Sequence, residues 1–135
     1  MRMLVALTSV VALTFLPSSP AQAAEDASGL VGTWRGTSEG FQDGEYLTLE
    51  LRWTVTKARG TSFIGAKSWR PAGAKKWSSP ERTTGVILPN GDIRWVDDDG
   101  VFLGQIGEAG DIRGTYLEAE IGDQSALDHR LRKVR

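Results

Sequence analysis

The sequence predicts an all-β fold, an antiparallel up-and-down β-barrel of about eight strands, with a two-sheet β-sandwich as the alternative. Three observations carry that expectation. Between Thr83 and Asp123, four short runs of strand formers are divided by Pro89-Asn90-Gly91-Asp92, Asp98-Asp99-Gly100 and Glu108-Ala109-Gly110-Asp111. Asn-Gly and Asp-Gly suit tight hairpins, because such turns need positive φ, which Gly and Asn reach with least strain. Tyr46 to Lys57 alternates with period two, Leu47, Leu49, Leu51, Trp53 and Val55 on one face and Thr48, Glu50, Arg52, Thr54 and Thr56 on the other, the mark of a strand wet on one side. No stretch reads as a helix. Short strands apolar on one face need a second layer or a closed sheet to bury it, and closure also removes exposed edges.

Taken in order, the chain begins with Met1-Arg2-Met3, an uncharged apolar run from Leu4 to Leu16, and the small-x-small site Ala21-Gln22-Ala23. This reads as a signal peptide over 1–23, cleaved near Ala23, its apolar run too short to span a bilayer comfortably. The expectation is a secreted or periplasmic protein with no membrane insertion after cleavage. Residues 24–28 read as a flexible N-terminal arm and 29–135 as a single β-barrel domain. About 112 residues would remain, enough for one core.

Loss of Arg2 leaves 15 basic residues against 17 acidic ones, a net charge of −2. That balance argues against nucleic acid, which needs a clustered basic surface. The chain has no Cys, so burial and strand closure, not disulfides, must hold the domain together.

After the arm, Gly29 to Thr37 reads as a Gly-punctuated strand, and Ser38 to Glu45 as a Gly-rich connection. Arg59-Gly60 turns the chain, and Thr61 to Trp69 returns it with Phe63, Gly65, Lys67 and Trp69 on one face. Arg70 to Pro80 is a long loop carrying Lys75, Lys76 and Trp77, read as solvated, with a lid or a partner contact as the sharper alternative. Ser125 to Val134 closes the set, with Leu127 and Leu131 on one face.

Within the meander, a two-residue Asn90-Gly91 loop would put Leu88 opposite Ile93 and Val86 opposite Trp95, making Val86, Leu88, Ile93 and Trp95 one apolar face. A two-residue Asp99-Gly100 loop would add Phe102, Gly104 and Ile106, with Gly104 opposite Trp95. A three-residue loop would present Val101, Leu103 and Gln105 instead. The first is preferred, since a Gly opposite a Trp leaves room for the indole.

Catalytic chemistry finds little support. His129 is the single histidine, and its neighbour Asp128 points to the other face of a regular strand. No Ser or Cys sits in a nucleophile motif. Asp97-Asp98-Asp99 could offer oxygens to Ca²⁺, but a turn is the simpler reading, and Val101-Phe102-Leu103 follows where an EF-hand needs acidic ligands. No enzyme activity, metal or cofactor is therefore expected. The aromatic residues lead further. Trp53 and Trp95 should face the interior, and Trp69 and Tyr116 could join them. They would either fill the core or line an apolar cup in which Tyr116 or Arg113 orients a small ligand. Arg113 and Tyr116 lie on opposite faces, so a regular strand turns only one of them inward.

Gly32-Thr33-Trp34, on the first strand of the domain, resembles the Gly-x-Trp signature of calycins, the superfamily of lipocalins, fatty-acid-binding proteins and avidins. The resemblance implies a closed barrel whose end is sealed by an Arg or Lys of the last strand packed across that Trp, for which Arg130 and Arg132 are the candidates. The lipocalin Thr-Asp motif and disulfide cysteines are absent. Gly114-Thr115-Tyr116 is similar to an avidin strand but sits on the seventh strand, and the avidin Trp-Lys element is missing, so biotin binding is not implied. The resulting expectation is a binding protein for a small hydrophobic ligand, its site drawn from Trp53, Trp69, Trp95, Arg113 and Tyr116. A protein-binding barrel, such as an inhibitor of a secreted hydrolase acting through its arm, is the alternative. A cofactor-free barrel isomerase or cyclase is the second.

Overall fold

The computed structural model describes residues 26–135; the leader expected over 1–23 and the first two residues of the expected arm lie outside them. Eight strands follow one another around a closed antiparallel barrel, each paired with its sequence neighbours and the last with the first. They are β1 (Gly32–Gln42), β2 (Glu45–Arg59), β3 (Ser62–Pro71), β4 (Glu81–Ile87), β5 (Asp92–Val96), β6 (Gly100–Ile106), β7 (Ile112–Glu120) and β8 (Asp123–Lys133). The alternation on β2 predicts its faces correctly: Leu49, Leu51, Trp53 and Val55 are buried. A bulge at Thr56 shifts the β2–β3 register between Val55 and Lys57, bending the longest strand around the barrel.

The meander departs from the expected register by one residue at its first turn. Ile87, not Leu88, pairs with Ile93, and Gly85, not Val86, pairs with Trp95. Ile87 is accordingly buried, while Val86 and Leu88 are half-buried. The cause is the loop length. Leu88 N–H donates to Asp92 O and Gly91 N–H to Leu88 O, so Pro89, Asn90 and Gly91 form a three-residue loop with Gly91 at φ +83°. Pro89 has no N–H to offer a strand pair, and its fixed φ suits the first central position of a type I turn. The next turn moves by one position as well: Asp97 N–H donates to Gly100 O, making Asp98-Asp99 the two-residue tip. Phe102 and Gly104 still face inward, but Gly104 lies opposite Ile93, and Phe102 opposite Trp95. The third hairpin turns at the expected place, with Gly110 at φ +74°.

The interior is built on one run of rings. Trp53 stacks on Trp95 (centroids 4.3 Å apart), Trp95 on Phe102 (3.6 Å), Phe102 on His129 (5.5 Å) and His129 on Tyr116 (5.4 Å), while Phe63 and Trp34 flank Trp53. The wall makes room by omitting side chains: a Cβ on Gly104 or Gly114 would run into the Phe102 ring and the facing strand. Each large buried side chain contributes about 1.5–3 kcal/mol.

One barrel end is shut. A 3-10 turn, Ala27–Leu30, is capped by the Asp26 carboxylate accepting Ser28 N–H. Ala27, assigned to the arm by sequence, is buried, as is Leu30. Ala27 N–H donates to Gly60 O, and Trp34 Nε1–H donates to Leu30 O at 2.8 Å. The cation over Trp34 is Lys133, its Nζ 5.7 Å from the indole centroid and donating to Gly29 O. Arg130 and Arg132, the candidates from sequence, point outward. They alternate with inward His129 and Leu131, and the strand parity places Lys133, paired with Trp34, at the barrel end.

Candidate functional site

The opposite end is open and polar. Strand parity brings Lys67 on β3 inward beside Trp53, with which it pairs, and an ammonium in a barrel interior requires a counter-ion. Asp97, at the end of β5, supplies it: Lys67 Nζ lies 2.5 Å from Asp97 Oδ2 and 3.2 Å from Glu81 Oε2. The Asp97 side chain has no exposed surface. Its other oxygen accepts Tyr116 O–H (2.7 Å) and the backbone N–H groups of Gly100 (2.8 Å) and Asp99 (3.2 Å). The Asp97-Asp98-Asp99 run is thus a turn, and the first carboxylate is spent on the interior. Among the described residues, no three metal-ligating side chains converge.

These contacts set the protonation states. Burial would raise the Asp97 carboxyl, but the Lys67 charge and the Lys67, Tyr116 and Gly100 donors outweigh it and hold Asp97 below the usual carboxylate range. Burial and the adjoining Asp97 carboxylate push the Tyr116 phenol far up, so it stays a donor. Lys67 Nζ also stands 4.0 Å over the Tyr116 ring. Burial, with the Lys67 charge, drives His129 down to about 3. The imidazole is therefore neutral, 1 % exposed, and neither ring nitrogen has a hydrogen-bond partner within the chain. Ser38, its cross-strand neighbour, also has an unpartnered buried hydroxyl.

A cavity of about 150 Å³ opens above this layer. Leu49, Leu51, Leu127 and Trp69 form its apolar walls, with Gln42, Ser125, Tyr116 and His129 as neutral polar groups. Glu81, Asp99, Glu118, Asp123 and Lys67 bring the charges. Trp69 Nε1–H donates to Glu81 Oε1 (3.3 Å) and Ser125 O–H to Glu118 Oε2 (3.1 Å). Burial pushes the Glu118 carboxyl up, the Asp123 and Asp99 charges adding to the effect.

Of the five residues expected to bind a ligand, the structure brings Trp69 and Tyr116 to this cavity. Trp53 and Trp95 lie beneath it in the packed ring column, Trp53 Nε1–H donating to Thr83 Oγ1 at 2.9 Å. Arg113 faces out, 65 % exposed and bonded to Asp111. Sequence reasoning set His129 aside for want of a partner base and missed Glu81 and Glu118. The available signal was parity: His129 shares a face with Leu127 and Leu131, and Glu118 with Tyr116. Trp77 is no free lid; its ring lies against the outer wall under Arg52 (4.9 Å) and Arg70 (4.5 Å), and Ser78 N–H ties the loop to Trp69 O.

Compared with known proteins, the chain matches no family model, no curated protein and no solved structure.

Proposed function

We propose that this chain is a small-molecule-binding barrel of calycin type, exported by its leader-like start, which holds its ligand in the cup at the open end. The observation that carries the reading is the cavity of about 150 Å³ with Trp69 and Tyr116 on its walls and an unpartnered, buried His129 at its floor. A buried polar group without a partner costs stability, and a ligand reaching it would recover that cost. Lys133 over the Trp34 indole, at the end sealed by the 3-10 turn, supports the calycin comparison made on Gly32-Thr33-Trp34. The ligand has an apolar body, matched to Leu49, Leu51, Leu127 and Trp69. It is small, since the cavity is about half the ~300 Å³ at the lower end of drug-sized sites. The test is a titration of the purified chain with a panel of small apolar and amphipathic molecules, read by tryptophan emission. Saturable binding that Trp69→Ala weakens supports the cup; no saturable binding, or binding indifferent to Trp69→Ala, overturns it.

The protein-binding alternative rests on a different observation. Phe41 and Tyr46 stack edge to face on the outer rim, 59 % and 62 % exposed. Contiguous exposed apolar side chains mark interaction sites. Stoichiometric inhibition of a secreted hydrolase, relieved by Phe41→Ser, would favour that reading.

A further inference from the structure

We infer that the ligand of the cup is a small organic cation, a protonated amine with a short apolar body, taken by Glu118 as its counter-ion with His129 at the floor of the site. The inference rests on the reading of the cup as a ligand site and adds the chemical class.

The charge balance of the cup leads to it. Among the described residues, its lining carries Glu81, Asp99, Glu118 and Asp123 against Lys67. Lys67 is already committed, 2.5 Å from Asp97 and 3.2 Å from Glu81. Among the described residues Glu118 accepts only the Ser125 hydroxyl, and its carboxyl is held high by burial and by the neighbouring acids. Carboxylates so placed lack a cation, not an anion. The unpartnered His129 is the independent sign of a ligand: at 1 % exposure both its ring nitrogens go unsatisfied. As a neutral ring it offers one N–H and one lone pair.

Each ligand class can be weighed against these groups. An anion would enter a lining that carries four carboxylates against one committed lysine, and like charges repel in a partly desolvated site. A wholly apolar molecule would cover Glu118 without supplying a counter-ion and leave His129 without a partner. A protonated amine brings three N–H donors and a positive charge to the Glu118 carboxylate, and its body extends toward the His129 layer, four residues along β8 from Ser125, the cross-strand partner of Glu118. Its apolar body then meets Leu49, Leu51, Leu127 and Trp69.

The test uses benzylamine, benzyl alcohol and benzoate, which share a ring and differ in charge, titrated calorimetrically into the purified chain near neutral pH. The expected result is one-to-one binding of benzylamine, with the alcohol and the acid weaker by about tenfold or more, as for loss of a charge-assisted bond. Glu118→Gln should weaken the amine by a similar factor. Ring resonances of His129, followed by NMR in the unsubstituted chain, should move with amine occupancy, which locates the site even if Glu118→Gln fails to fold. Benzyl alcohol or benzoate binding as tightly as benzylamine overturns the cationic class while leaving the cup a ligand site. Amine binding that leaves the His129 resonances unmoved and is indifferent to Trp69→Ala puts the amine elsewhere and overturns the inference. Absence of binding by all three overturns it too, and the cup itself falls only if the broader panel also fails.

Discussion

Lys67 and Asp97 form an ion pair inside the barrel, Nζ to Oδ2 2.5 Å, at the boundary between the ring column and the open cup. Asp97 does more than neutralise the lysine, since the same carboxylate accepts Tyr116 O–H and two backbone donors of the β5–β6 turn. Lys67 keeps Glu81 if Asp97 is lost; Tyr116 and the turn keep nothing comparable. Asp97→Ala should therefore destabilise more than Lys67→Met, by about 3–5 kcal/mol against a smaller loss, as when one member of a buried pair is removed. Denaturant unfolding of the two variants and their double mutant checks this. Equal single-variant losses that add in the double would mean that the two side chains are not coupled.

Acid should reveal His129. Its folded pKa lies near 3 against an ordinary 6.5, so the unfolded chain takes up the proton first. Stability is then lost as pH falls from 6.5 towards 3, at up to about 1.4 kcal/mol per pH unit. Asp97, whose folded pKa is lowered, loses its contribution only below its ordinary 3.8. Glu118, raised above 4.5, acts in the opposite sense, its penalty easing as it protonates. Between 6.5 and about 4.5 the fall in stability should therefore belong to His129, and His129→Phe should flatten it. An unchanged slope in that variant would show that the imidazole is not held neutral.

How much of this was legible in the sequence follows from what sets each feature. The faces of β2, β3 and β8 were readable because period-two alternation is local, and Leu47 to Val55 spells it without interruption. The eight-strand count followed from turn residues for the same reason. The register at Ile87 and Ile93 was not, because a two-residue and a three-residue loop both accept Asn90-Gly91, and Pro89 decides between them through the N–H it lacks. The cup was half legible. Parity alone puts Trp69 and Tyr116 inside, but that Lys67 meets Asp97 thirty residues away depends on barrel closure, which no local pattern encodes. The sealing cation differs, since parity was readable: Lys133 shares a face with Leu127, His129 and Leu131, whereas Arg130 and Arg132 lie on the other.

Gly104 and Gly91 answer to different physics and should respond differently. A Cβ at Gly104 meets the Phe102 ring and Arg113 O, so Gly104→Ala should cost about 1–3 kcal/mol by overpacking. Gly91 has open space around its would-be Cβ but φ +83°. There Gly91→Val should cost about 1 kcal/mol or more through backbone strain, while Gly91→Asn, which tolerates positive φ, should cost less. Thermal unfolding of the three variants separates the effects. A Gly91→Asn loss equal to that of Gly91→Val would point away from backbone conformation.

The outer wall carries a last testable feature. Arg132, Arg35 and Arg52 lie directly opposite one another on β8, β1 and β2, with their side chains outside the barrel. Among the described residues none of the three forms an ion pair; Arg52 instead lies over the Trp77 ring at 4.9 Å. Like charges directly opposite on a sheet are destabilising by up to about 1 kcal/mol. Removing the middle one relieves two repulsions at once, so Arg35→Thr should raise the unfolding free energy at low ionic strength. Thr also has the higher strand preference, which alone could stabilise, so the diagnostic quantity is salt dependence. Screening shortens the Debye length from about 30 Å at 0.01 M to about 3 Å at 1 M, so an electrostatic gain should shrink across that range while a propensity gain persists. Arg35→Lys keeps the charge and should follow the unsubstituted chain at every salt concentration. A stabilisation by Arg35→Thr that salt leaves unchanged would show that the arginine row costs the fold nothing.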